Sequence, residues 1–311
     1  MENIFIDINC PVCGGTRFKT VWRATPRQFL NDFRKSYYNI DALGIDYDTK
    51  FYLKKCKSCS LVFVNPQFRS DIYDVVYNEA KAEQHDKKQW QHQEDDLKHL
   101  YNTHHKWHAA KSLMKCISYF HKRFEKAKNY GQKRISLLDY GCGNGHILDL
   151  CGIFEIEAVG VDIDRLRIQF CKSKGLNVCH PDQLGKEKKF DIVISTSVVE
   201  HVHDLNHYFA DISSRLKNGG LLHITGLSPT VIKRESKKEQ YRLVMPFEHI
   251  NYFTPRSLDI LAKKYSLKRI KITKLFQPIS SPCDYVKPFL KHFVFAGFNP
   301  AGTFQADLVK E

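Results

Sequence analysis

No stretch of the 311-residue sequence approaches the roughly 18 consecutive apolar residues of a membrane span. The first ten residues, MENIFIDINC, lack the basic start and long apolar run of a secretory leader, so the expected compartment is the cytoplasm. There is no internal repeat and no low-complexity tract, and 42% apolar with 26% charged residues excludes wholesale disorder. Without an export signal, the ten cysteines point to metal ligation or packing in a reducing compartment rather than to disulfides. Acid is also in short supply, and the formal net charge is +14. The shortage is uneven: residues 135–227 carry −3, whereas 1–70, 71–134 and 228–311 carry +5, +4 and +8. Basic flanks around a mildly acidic middle suit an anionic substrate such as a sugar-nucleotide, a phosphorylated glycan or nucleic acid; solubility alone is the plainer explanation.

The chain divides into three segments. Residues 1–70 hold two cysteine knuckles with short β-like runs at Phe51–Leu53 and Leu61–Val64. Residues 71–130 form a helical connector, with Leu97, Leu100, Tyr101, His104, Trp107, His108 and Leu113 at helical spacing and no glycine or proline before residue 129. Residues 131–311 alternate apolar runs (Ile135–Leu138, Ala158–Val161, Leu176–Val178, Phe190–Ser195, Gly220–Thr225) with amphipathic stretches (His146–Cys151, Arg165–Lys174, Leu205–Leu216). That alternation predicts an α/β domain with a mostly parallel sheet covered on both faces. A basic linker from Lys233 to Arg242, a helix near Ser257–Tyr265, a strand near Leu267–Leu275 and a last strand at Phe293–Phe298 complete the expectation.

Cys10-Pro-Val-Cys13 and Cys56-Lys-Ser-Cys59 supply four thiolates, the number a closed tetrahedral zinc site requires. Gly14 and Gly15 permit the tight turn of the first knuckle. The long interval between the pairs places an insertion near residues 20–50. A closed four-cysteine site has no open coordination position, so this metal is expected to stabilise rather than catalyse.

The strongest functional signal is SLLDYGCGNGHILDL, residues 136–150. A strand carrying Asp139 runs into a loop with Gly141, Gly143 and Gly145, and a helix starts near His146. Such a loop brings backbone N–H groups close to a ligand at a positive helix end. The spacing is G-x-G-x-G, not the G-x-G-x-x-G of dinucleotide sites. Asp162, at the tip of the next apolar run, is placed to accept hydrogen bonds from ribose hydroxyls. Asp139 could then face the amino group of a methionine-like tail, and Asp182 the adenine amino group.

Residues 135–227 thereby resemble the core of the class I S-adenosylmethionine-dependent methyltransferases: the glycine loop, Asp162, FDIVISTSVVEHVHD (190–204) and LKNGGLLHIT (216–225) fall in that family's order. The resemblance implies a Rossmann-like, mostly parallel seven-stranded sheet and S-adenosylmethionine as cofactor. The whole chain is similar to a subgroup in which a zinc ribbon precedes this domain, through the two cysteine pairs, LVFVNP and HINYFTPRSL (249–258). Zinc-containing sugar methyltransferases carry a Glu-His pair before Tyr-Phe, similar to Glu248-His249 and Tyr252-Phe253; Pro246 stands where they have a tyrosine.

Methyl transfer to a hydroxyl or an acidic C–H needs an aligned nucleophile and a base. The candidates are Glu200 and His201, just beyond the fourth strand, and Glu248 and His249 before the NYF segment. His85, His92, His99, His104, His105 and His108 read as a solvated helix face rather than a second metal site. The expected activity is methylation of a small molecule or glycan, a sugar or sugar-nucleotide foremost. RNA methylation, with ribbon and basic tail as the docking surface, is one competing reading, and a non-catalytic cofactor-binding protein is another.

Overall fold

The computed structural model describes residues 4–30, 40, 44–74, 105–126, 135–154, 156–238, 241–270 and 303–311. Its short apolar runs become the strands of two principal sheets. The N-terminal part contributes β1 (Phe5–Ile6), β2 (Phe18–Ala24), β3 (Phe51–Cys56), β4 (Val62–Val64) and β5 (Gln67–Phe68), with the short helices α1 (Pro26–Phe29) and α2 (Ser70–Asp74). β2 and α1 occupy the interval between the cysteine pairs. The helix α3 (His105–Lys126) leads into β6 (Ser136–Tyr140), α4 (His146–Ile153), β7 (Glu157–Val161), α5 (Arg165–Ser173), β8 (Val178–Cys179), β9 (Phe190–Thr196), α6 (Leu205–Arg215) and β10 (Leu216–Leu227). After these come α7 (Thr230–Lys238), β11 (Asn251–Tyr252), α8 (Pro255–Lys264), β12 (Leu267–Ile270) and β13 (Thr303–Lys310). Among the described residues no helix is long and apolar enough to cross a membrane.

Seven strands form the central sheet in the order β12-β13-β10-β9-β6-β7-β8. The five from β10 to β8 are parallel neighbours, and β13 runs antiparallel to both β10 and β12. This is the expected Rossmann-like, mostly parallel arrangement. Its strand order reverses between β6 and β9, the point at which open α/β sheets leave a crevice beyond the strand ends. β9 is buried at every position but its last, as a central strand covered on both faces must be. Leu113, Cys116 and Phe120 of α3 pack with Leu137, Ile192 and Leu221 on one face. On the other, Phe209 and Ile212 of α6 pack with Leu138, Val193 and Leu222. Asp side chains start two of the helices: Asp164 accepts from Leu166 N and Arg167 N, and Asp204 from Asn206 N and His207 N.

The second sheet is antiparallel, in the order β11-β4-β3-β2. Its edge strand β11 comes from the far end of the sequence, with Asn251 opposite Phe63 and Tyr252 opposite Val62. Hydrogen bonding therefore crosses the boundary drawn at residue 70. A shared apolar cluster crosses it too, joining Trp22, Phe51 and Val64 to Val231, Met245 and Phe247. The expected linker at Lys233–Arg242 is instead largely the helix α7, since Val231, Ile232 and Glu235 repeat at helical spacing and are all buried. The strand expected at Phe293–Phe298 and the histidines at 85, 92, 99 and 104 lie outside the described residues; the last strand observed is β13.

Candidate active site

The loop after β6 demands glycine at three positions, with φ of +82° at Gly141, +53° at Gly143 and +77° at Gly145. A Cβ on Gly141 would stand 2.3 Å from Val198 Cγ2, and one on Gly145 would stand 2.4 Å from Leu176 Cδ1. Neighbouring elements thus leave no room for a side chain at Gly141 or Gly145, and Gly143 is fixed as glycine by its positive φ. Asp162, at the end of β7, locks the loop: Oδ2 accepts from Gly143 N at 2.8 Å and Oδ1 from Asp164 N at 2.9 Å. Each carboxylate oxygen keeps a second lone pair with which to accept from a ligand hydroxyl. Asp139 lies at the end of the adjacent strand, 2% exposed, and burial, reinforced by the charge of Asp162, pushes its carboxyl up to about 8. Asp182 sits on a short 3₁₀ turn beyond the edge strand β8 with its side chain 89% exposed.

Beyond β9 the chain turns through Ser197, which has φ +55°, and carries Glu200 and His201 to the same end of the sheet as the glycine loop. There they meet Glu248 and His249. Glu200 O accepts from Ile250 N at 2.8 Å and from Asn251 N at 3.1 Å. His201 Nδ1 lies 2.9 Å from Glu248 O, and the rings of His201 and His249 are 4.7 Å apart. His249 Nδ1 lies 2.9 Å from Leu243 O, and its Nε2 lies 4.0 Å from Glu248 Oε1. A carbonyl oxygen can only accept, so each Nδ1 carries a proton and each neutral ring has its lone pair on Nε2.

Glu200 is 3% exposed, and its Oε2 has no hydrogen-bond partner among the described residues. Burial pushes this carboxyl up to about 8, with the negative charge of Glu248 adding to the effect. Only glycine fits beside it at residue 226, where a Cβ would stand 3.2 Å from Glu200 Oε2 and 2.8 Å from Phe304. A carboxyl raised by burial, on the segment whose backbone meets Ile250 and Asn251 just after His249, has the environment that shifted acid–base groups have in proteins.

Comparisons with known proteins identify the family. A family described as a methyltransferase domain matches residues 107–271, more than half of the chain. The chain belongs to this methyltransferase family. It is similar to the ubiquinone biosynthesis O-methyltransferase of Pelagibacter ubique strain HTCC1062, with 31% identity over 107 residues, 32% of this chain and 45% of that enzyme. The enzyme of the same name from Bartonella quintana strain Toulouse is 29% identical over 107 residues, 32% of this chain and 43% of that enzyme. The chain spans less than half the length of these curated relatives. Among solved structures, the plantazolicin methyltransferase BpumL in complex with SAH aligns with a TM-score of 0.51 at 16% identity, covering 70% of this chain and 90% of that one. That likeness is one of fold.

The sulfurs of Cys10, Cys13, Cys56 and Cys59 lie within 4.8 Å of one another. The pairs Cys10–Cys59 and Cys13–Cys56 are 3.4 Å and 3.6 Å apart. A tetrahedron with metal–sulfur bonds of about 2.3 Å has edges of about 3.8 Å, so the donor set fits one tetrahedral metal ion. Three of the cysteines are buried, and a hydrogen bond from Cys59 holds the Cys10 thiol below its ordinary range.

Sequence reasoning missed a second buried polar group in the methyltransferase core. His223 on β10 bonds Asp307 on β13 at 2.7 Å, and Lys115 of α3 closes on the same carboxylate at 2.5 Å. No spacing rule links positions so far apart. Glu235 was also missed: its carboxylate, in a residue 5% exposed, accepts from the backbone N–H groups of Arg242, Leu243 and Val244 at 3.0, 3.0 and 2.8 Å.

Proposed function

We propose that the protein transfers a methyl group from S-adenosylmethionine to an oxygen of a small-molecule acceptor, with His249 as the base. The observation that carries this reading is the placement of Val198. Its side chain packs onto Gly141 of the glycine loop, and two residues later Glu200 opens the carboxylate–histidine cluster. The cofactor loop and the proton-handling groups are therefore neighbours at the switch point of the sheet.

Gly141, Gly143 and Gly145 would hold the cofactor by backbone, Asp162 its ribose hydroxyls, Asp139 its amino group and Asp182 its adenine. When bound, this cofactor supplies an electrophilic methyl group on a sulfonium with a good leaving group already in place. The chain's own work is to orient the acceptor, exclude water and take up a proton. His249 Nε2 accepts the acceptor proton, Leu243 O holds the opposite ring nitrogen, and the Glu248 carboxylate steadies the imidazolium that results. His201 braces Glu248 through its carbonyl. Glu200, protonated at neutral pH, keeps the neighbourhood from acquiring a second buried negative charge. The names of the curated relatives support oxygen as the methylated atom, and the basic flanks support an anionic acceptor, a sugar-nucleotide foremost.

The four-cysteine cluster we assign to a structural zinc ion that closes the knuckles on which β3 and β4 are built.

Radiolabelled cofactor tested against sugar-nucleotide, phenolic and RNA fractions checks the reading. Label is expected in a small molecule, as an alkali-stable ether. Label confined to RNA would move the acceptor to another class, and absence of calorimetric heat with S-adenosylhomocysteine would remove the activity altogether.

A further inference from the structure

The backbone ladder between β6 and β9 runs from Leu137 opposite Ile192 to Asp139 opposite Ile194. Among the described residues no backbone pair joins the two strands beyond that point, and Tyr140 still lies between Asp139 and the glycine loop. On its β7 side Tyr140 stays paired, opposite Val161, whose carbonyl also accepts from Gly141 N and Cys142 N at 2.8 and 3.0 Å. On its β9 side the strands part at the switch point, where the crevice opens. A side chain closes the gap there. Ser195, 0% exposed, donates its hydroxyl to Tyr140 O at 2.8 Å.

A serine hydroxyl carries one proton and rotates freely, so something must aim it. Tyr208 of α6 does so: its Oη donates to Ser195 Oγ at 2.7 Å and leaves the serine proton for Tyr140 O. Burial pushes the Tyr208 phenol up, which keeps it a donor throughout the neutral range. The same residue grips Tyr140 a second time, ring edge to ring face, with centroids 5.4 Å apart. Three residues further along α6, Asp211 accepts from Tyr140 Oη at 3.0 Å and is itself held by Arg215 Nε at 3.0 Å. The helix therefore fixes Tyr140 at its carbonyl, its ring and its hydroxyl.

We propose that Ser195 and Tyr208 are positioning residues for the cofactor, acting through the Tyr140 carbonyl on its two neighbours Asp139 and Gly141. What they set is the grip on the cofactor's amino-acid tail. The assignment rests on the cofactor reading above, in which Asp139 faces the amino group of that tail. Asp162 and Asp182, given to ribose and adenine, follow β7 and β8 and are held without this relay.

Calorimetry on the full chain tests the proposal with two probes: S-adenosylhomocysteine, and 5′-methylthioadenosine, which has the adenosine and sulfur but no amino-acid tail. Ser195→Ala should weaken S-adenosylhomocysteine about tenfold, the worth of one strong hydrogen bond, and 5′-methylthioadenosine less than twofold. Tyr208→Phe, the milder change, should weaken S-adenosylhomocysteine about threefold, and it carries the test if Ser195→Ala does not fold. Adding Tyr208→Phe to Ser195→Ala should cost no further affinity, because the relay is already broken. Ile212→Ala is the control, a core loss on the same helix that should lower the melting temperature and leave both probes bound as before. Unchanged S-adenosylhomocysteine affinity in Tyr208→Phe, or in a folded Ser195→Ala, would overturn the proposal. So would equal weakening of the two probes, additive losses in the double variant, or a loss in Ile212→Ala as large as in Ser195→Ala. Absence of S-adenosylhomocysteine heat in the parent would instead remove the cofactor reading itself, whereas parent heat with unaffected variants removes only the relay.

Discussion

His201 Nδ1 lies 2.9 Å from the carbonyl oxygen of Glu248, a contact across 47 positions of sequence that draws two Glu-His pairs into one cluster. Each pair alone is a common dipeptide. Together they place two imidazoles and two carboxylates at the open end of the sheet, and the consequences are measurable.

Replacing His249 with alanine should lower turnover by about 10²–10⁴-fold, the usual worth of a positioned base. S-adenosylhomocysteine affinity, measured by calorimetry, should stay within twofold. Turnover close to that of the parent would remove His249 from the base role and transfer attention to His201.

Glu235 is expected to act as a positioning residue. Its carboxylate holds Leu243 N, and Leu243 O in turn accepts from His249 Nδ1 and Tyr252 Oη. Glu235→Gln exchanges a charged acceptor of three N–H groups for a weaker one. We expect at least a tenfold fall in kcat together with a displaced acid limb in the pH–rate profile, because the ring of His249 loses its fixed orientation. A lower melting temperature with an unmoved pH profile would mean that Glu235 serves folding alone.

Glu200 and Asp139 make stability depend on pH. Burial raises both to about 8 in the folded chain. The native state therefore holds these protons more tightly than the unfolded one. Their contribution is fully present below the ordinary carboxyl range and is lost as pH climbs toward 8. Thermal melts from pH 5 to 9 should show the decline, and Glu200→Gln or Asp139→Asn should flatten it. A parent profile that rises over this interval would contradict the assignment.

Gly141→Ala meets both a positive φ and Val198 Cγ2 at 2.3 Å, whereas Gly175→Ala meets a positive φ of +74° with nothing within 4 Å. The second should cost about 1–2 kcal/mol of stability and leave cofactor binding intact. The first should cost more and reduce S-adenosylhomocysteine affinity at least tenfold. Equal effects of the two on affinity would show that the loop's shape is not what binds.

Elemental analysis should find one zinc per chain, and chelation or Cys59→Ser should lower the melting temperature by several degrees. β4 carries β11, and β11 begins two residues after His249, so metal loss should reduce turnover more than cofactor affinity. A zinc-free protein with the parent's melting temperature would refute the assignment.

What the order of residues determined by itself was local. G-x-G-x-G after an apolar run, Asp162 at the next strand tip and two Cys-x-x-Cys knuckles were legible because each feature needs only a turn and its immediate neighbours. The strands β6, β7 and β9 were legible because a buried parallel strand is a continuous apolar run. β13 was not read, although it lies inside the central sheet, because its half-buried pattern is weak and its partners on β10 are more than seventy positions away. Only the tertiary structure decided that β11 would join the ribbon sheet, that Glu200 Oε2 would be buried with no partner among the described residues, that His223 would meet Asp307, and that Lys55 would share a cavity with Lys233. Those outcomes depend on how two apolar clusters pack against each other across the whole chain, and packing at that range leaves no spacing in the sequence to read.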